Sequence, residues 1–154
     1  MKRGLPFAAA LVLSLAGCGE PIRDNPLDPS YSRTIDLREE IIGSWGRDDA
    51  EKNEVYTFKV GGRVELRDFT AGPESDGGSV DRNASYPTTR VITFAGTYEL
   101  TGPALRLSFT QAQTNDPKAQ VPSLPPGDRL VVIAIKGDVL TVREADGVRQ
   151  YTRV

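Results

Sequence analysis

One thiol and no imidazole set the limits of this chain's chemistry: Cys18 is the only cysteine in 154 residues, and histidine does not occur. Without histidine, Ser-His-Asp and Cys-His catalysis are excluded, together with the commonest transition-metal ligand. A lone cysteine also has no disulfide partner within the chain. Carboxylates pair in sequence at Glu39-Glu40 and Asp48-Asp49. Neighbours on a helix do not face each other, and neighbours on a strand point to opposite faces, so neither pair forms a hydrolase dyad. The stretch "AGPESDGGSVDRNASYPT" gathers Glu74, Asp76, Asp81 and Asn83 among glycines, an oxygen-rich set of the kind calcium accepts. It lacks the alternating acids and closing glutamate of an EF-hand and reads as a solvated acidic loop. No glycine-rich phosphate loop follows a strand and opens a helix. The inventory points away from an enzyme, a cofactor or a metal centre, and toward a chain that binds.

Cys18 ends a leader. Lys2 and Arg3 are followed by an apolar run from Leu5 to Leu15 and by the small residues Ala16 and Gly17, the pattern of a secretory signal peptide over residues 1–17. The run is shorter than the roughly 20 residues that a membrane-spanning helix needs. The motif "LAGC" resembles the lipobox of bacterial lipoproteins. The resemblance implies that the Cys18 thiol receives a diacylglycerol and that the new amine, once the leader is cut, takes an acyl chain such as palmitate. Several acyl chains hold a protein far more firmly than one, each buried CH₂ contributing about 0.8 kcal/mol. In that family aspartate after the cysteine retains a protein at the inner membrane. Here Gly19 follows, which implies lipid anchoring in the outer membrane of the cell envelope, facing either the periplasm or the exterior.

Loss of Lys2 and Arg3 would leave 17 basic against 21 acidic residues, a formal charge of −4. An acidic chain with no basic stripe excludes nucleic acid as the partner. Residues 18–35 carry three prolines and several charges without periodicity and read as an extended tether, similar to the "NPxDP" segments behind the anchor of other lipoproteins. Folding is expected to start at Asp36, which can cap a short helix in a capping box with Glu39, with Leu37 and Ile41 on one face and Gly43 ending it. Residues 36–154 are long enough for one domain, expected to be a monomer, resting on its own apolar core.

From Gly43 onward the period becomes two. A short strand around 44–48 is followed by one holding Val55, Thr57 and Lys59 in alternation with Tyr56, Phe58 and Val60, then a Gly61-Gly62 turn and a strand with Val64 and Leu66. Arg90 to Leu100 forms the next, and a Thr101-Gly102-Pro103 turn hands over to "ALRLSFT" with Leu105, Leu107 and Phe109 on one face. "RLVVIAIK", apolar on both faces, turns at Gly137-Asp138 into "VLTVRE", which turns at Asp146-Gly147 into "VRQYTRV". Eight short strands joined by turns and loops, with no helical crossover, predict an all-β, eight-stranded antiparallel up-and-down barrel with a short N-terminal helix; closure would remove exposed edges.

The succession "IIGSW", "YTFKVGGRVEL", "GTYELTGPALRLSF", "IKGDVLTVREADG" and "YTRV" resembles the small bacterial lipocalin-like domains over residues 36–154. The resemblance implies that Gly43 and Trp45 start the first strand and that Arg153, on the last, packs over the indole where the barrel closes. A guanidinium over an indole gains about 0.5 to 2 kcal/mol. The strands are shorter than those of typical ligand-carrying lipocalins, and eight strands enclose a space that side chains alone can fill.

In an up-and-down meander the two long loops, 70–88 and 111–126, share an end, opposite the end where the tether enters. Long loops on a rigid scaffold serve recognition, or are neutral insertions. Tyr86 and Arg90 are the candidates for a ligand at the mouth, one by stacking and one by charge, with Leu124 an apolar knob between prolines. The expectation is a membrane-anchored, non-catalytic binding module for a small apolar ligand or an envelope protein. The alternative is a structural or assembly accessory of the envelope whose barrel is filled, with Phe58, Leu66, Phe94, Leu107, Phe109 and Val142 buried against one another and no small-molecule site.

Overall fold

A computed structural model describes residues 37–154 apart from residue 126. The leader, Cys18, the tether and Asp36 lie outside the described residues. The chain forms eight strands: β1 (Gly43–Asp48), β2 (Asn53–Lys59), β3 (Arg63–Ala71), β4 (Thr89–Thr101), β5 (Ala104–Thr114), β6 (Arg129–Lys136), β7 (Val139–Glu144) and β8 (Gly147–Arg153). Each pairs antiparallel with the next, and β8 returns to β1, closing an all-β up-and-down barrel. A single helical turn over 37–40 precedes it.

The alternation written in the sequence sorts each strand into an inner and an outer face. Trp45, Tyr56, Phe58, Val64, Leu66, Leu100, Leu105, Leu107, Val131, Ile133, Leu140, Val142 and Tyr151 point inward and form one buried cluster, closed from below by Ile41. Tyr56 stacks on Phe58 at 5.9 Å between centroids and meets Tyr151 edge-on at 5.5 Å. Such contacts add to the area effect because ring edges carry positive and ring faces negative charge.

Several expectations are corrected in detail. Gly43 does not end the helix: the turn is over at Ile41, and Gly43 opens β1 with φ at +126°. Val60 does not continue the inward row. It belongs to a three-residue turn, Val60 to Gly62, between the paired Lys59 and Arg63, because Gly61 and Gly62 both take positive φ and begin the reversal one residue early. The last hairpin turns on Ala145-Asp146, with Gly147 already paired to Glu144. Gln111 to Thr114 belong to β5, so the second long loop runs over 115–128.

Pairing does not run the full height of two seams. β5 pairs with β6 from Ala104 to Leu107 and then runs on beside β4 alone. β1 and β8 share two pairs, Trp45 with Arg153 and Gly46 with Thr152. Some edge is therefore left without a strand partner at the upper end, contrary to the expectation that closure removes it. For the same reason Phe94 and Phe109, 6.1 Å apart, are half-buried, whereas Phe58, Leu66, Leu107 and Val142 are buried.

Candidate functional site

The lower end is sealed by the residues that open and close the chain's fold. The Trp45 indole donates to the Ile41 carbonyl at 2.8 Å, and the Arg153 guanidinium lies 4.2 Å from the centre of its ring. Arg153 also donates to the carbonyls of Ile42 at 3.1 Å and Glu40 at 2.9 Å, tying the helical turn to the last strand. A Cβ at Gly43 would stand 2.8 Å from Arg153 Nη1, so glycine serves both its φ and the arginine's passage. Gly43, Trp45 and Arg153 thus meet at one place.

The upper end holds charges inside the barrel. Arg47 follows Trp45 by two and shares its face; by the same parity Glu54 precedes Tyr56, Arg129 precedes Val131, Glu144 follows Val142 and Arg149 precedes Tyr151. These side chains join across the lumen. The Tyr151 hydroxyl donates to Glu54 Oε1 at 2.7 Å, and Arg129 Nη1 donates to the Tyr56 hydroxyl at 2.8 Å. Glu144 accepts from Arg129 on one oxygen and from Arg149 on the other. Arg149 reaches on to Asp146 at 2.8 Å, while Arg47, only 7 % exposed, is forked by Asp49 and by Glu51 at 2.7 Å. Beyond the Gly46–Thr152 pair, β1 and β8 part around a cleft of about 710 Å³, lined by Arg47, Asp49, Glu51, Asp146, Arg149 and Gln150.

Charges drawn from water are stable only when paired and hydrogen-bonded, and here every guanidinium has carboxylate or hydroxyl partners. The Arg47 hydrogen bond, aided by the backbone N–H of Glu51, holds Asp49 down at about 2. The hydrogen bond from Arg149 likewise lowers Asp146. Burial pushes Tyr56 up to about 12; burial, followed by the charges of Tyr56 and Glu54, raises Tyr151 as well. These displacements move proton affinities away from neutrality, the reverse of what a general acid or base requires. Among the described residues no three of His, Cys, Asp or Glu converge as metal ligands.

The mouth candidates lie on β4 and on the two long loops. Arg90 is ion-paired to the buried Asp116 at 3.0 Å, so its charge is already met from the second long loop. Tyr86 is half-buried, and Leu124 is exposed on the second loop. The first long loop, 72–88, does not project from the mouth. It folds back over the outside of β1, β2 and β3, where Arg82 donates to Asn53 Oδ1 at 2.5 Å and to the Arg47 carbonyl at 2.6 Å, and Asn53 donates to the Val80 carbonyl. Val55 and Phe69, on the outer face, are buried as a result. Gly46 makes room for the clamp, since a Cβ there would meet Arg82 Nη1 at 2.7 Å.

The lumenal charges were legible as charged residues in phase with apolar ones. Solvation is the ordinary fate of a charge, and parity was the signal against it. The chain matches no family model, no curated protein and no solved structure. Its chemistry is therefore read from geometry.

Proposed function

We propose that this protein is an outer-membrane lipoprotein, anchored through Cys18, whose small lipocalin-like barrel is a non-catalytic module that meets envelope partners with its outer surface. The anchor is supported by the basic and then apolar leader ending in "LAGC" with no second cysteine. The observation that carries the outward-facing role is the filled lumen: Trp45, Tyr56, Phe58, Leu140 and Tyr151 occupy its lower part, and the Arg47, Arg129 and Arg149 ion pairs its upper part. A carrier of small apolar ligands needs unfilled apolar volume. A second reading rests on the half-buried Phe94 and Phe109 beside the unpaired stretch of β5, which offer an apolar lip to a small molecule.

Native mass spectrometry of the domain from residue 31 onward, purified from cell extract, separates the two. A clean apo mass is expected, and a discrete co-purifying small molecule would favour the lip. Cys18→Ser is expected to abolish membrane association and processing to the acylated mass; unchanged membrane binding would refute the anchor.

A further inference from the structure

The outer wall made by β6, β7 and β8 brings exposed aliphatic side chains together. Leu130 is 65 % exposed, Val132 48 % and Val148 57 %, and the strand register makes Arg143 the direct cross-strand neighbour of both valines. The outward positions of these strands include Lys136 as a second cation and no acid. Neither Arg143 nor Lys136 has an ion-pair partner among the described residues, whereas Arg153 and Arg149 nearby are met by Asp138 and Asp146. Acids mark both ends of the barrel instead: Asp49, Glu51 and Asp146 above, Glu65 and Asp138 below. In a chain with more acids than bases, this wall joins exposed aliphatic groups to uncompensated positive charge.

We infer that the β6–β8 wall is a docking face for an anionic phospholipid surface, so that the barrel lies on its side on the bilayer. Aliphatic side chains enter the boundary between headgroups and acyl chains, and Arg143 and Lys136 meet phosphate. A second copy is a poorer occupant, because a two-fold contact through this wall sets like charges against each other. The membrane setting rests on the anchored reading proposed above; the composition of the wall does not. With the wall down, the charged upper end opens parallel to the membrane, and the clamped loop over β1 to β3 faces away from the bilayer.

The test uses residues 37–154, which contain all eight strands and the whole buried cluster, so that Cys18 plays no part. Val148→Trp places a reporter on the wall and Val60→Trp one on the lower end, against the constant background of Trp45, which is fully buried. Each is titrated with vesicles of phosphatidylethanolamine and phosphatidylglycerol, and with phosphatidylcholine alone. The expected result is a blue shift, and quenching by brominated acyl chains, for the Val148→Trp variant on the anionic vesicles only, with partition falling about fivefold for each cation removed in Lys136→Gln and Arg143→Gln. Absence of a shift on anionic vesicles, a shift of the Val60 reporter instead, equal binding to neutral vesicles, or a shift that follows protein concentration without lipid would each overturn the inference. Loss of membrane anchoring in Cys18→Ser would leave this result unchanged, which keeps the two readings apart.

Discussion

Arg153, the last residue of β8, lies with its guanidinium carbon 4.2 Å above the ring of Trp45 near the start of β1, and the same two residues are backbone partners across the closing seam. That seam has two backbone pairs and a hydrogen bond from the Val154 N–H to the Ser44 carbonyl at 3.0 Å, and the side-chain stack adds to them. Arg153→Ala removes the cation over the indole and two hydrogen bonds to the helical turn, and is expected to cost about 2 kcal/mol. Urea denaturation followed by Trp45 fluorescence measures it; an unchanged midpoint would show that the seam closes without the stack.

Gly43→Ala is strained twice, by φ at +126° and by the approach of Arg153 Nη1, and is expected to destabilise by about 1 to 3 kcal/mol. Only the second strain disappears when Arg153 is shortened. The double variant should therefore be more stable than the two single losses sum to, by about 0.5 kcal/mol or more. Strict additivity in a double-mutant cycle would mean that the arginine moves aside without cost.

Glu144 stands between two guanidinium groups, Arg129 and Arg149. Glu144→Ala leaves both without their inner partner and is expected to lower stability by about 2 kcal/mol, less than a fully buried pair would lose because both arginines retain some access to water. Glu144→Gln, which keeps two acceptor positions at one oxygen but no charge, should lose less. Equal midpoints for Glu144→Ala and the parent in chemical denaturation would show the network to be solvated.

Stability should fall at both extremes of pH. Asp49 is held at about 2 in the folded chain, below the ordinary 3.8, so its contribution is present above the unfolded value and is lost as pH falls from about 4 toward 2; Asp116 and Asp146 shift in the same direction. Tyr56 is raised to about 12 from 10, so its contribution is present below 10 and disappears between 10 and 12, where the unfolded chain ionises first. Thermal melting across pH should show a plateau between these windows. A midpoint that does not decline above pH 10 would contradict a buried, neutral Tyr56.

Arg82 fastens the long loop to β1 and β2 through Asn53 and the Arg47 carbonyl. Arg82→Ala is expected to raise amide hydrogen exchange across 72–88 and to open the loop to proteases while the barrel strands stay protected. Unchanged exchange there would mean that burial of Val55 and Phe69 alone keeps the loop in place.

The eight strands and their order followed from local signals: period two in "YTFKV" and "ALRLSFT", and turns too short for any crossover. The meeting of Trp45 and Arg153 was implied by resemblance; Arg47 and Glu54 shared only their parity with Trp45 and Tyr56, and the structure placed them inward. Both long loops fell at one end by counting connections. Which way a loop folds once it leaves that end was not in the pattern, because Arg82 finds Asn53 through space rather than through spacing.

Alternation by itself thus determined which residues of a strand share a face, since a strand's side chains reverse at every residue, while for β6, apolar on both faces, the closed barrel decided which face turns inward. The tertiary structure alone decided how far each strand runs past its neighbour, because register is set between segments when the sheet tilts to close. That overhang half-exposes Phe94 and Phe109 and parts β1 from β8. It also decided that inward-facing charges find one another across the lumen, and that the outward aliphatic groups of β6 and β8 lie on either side of Arg143.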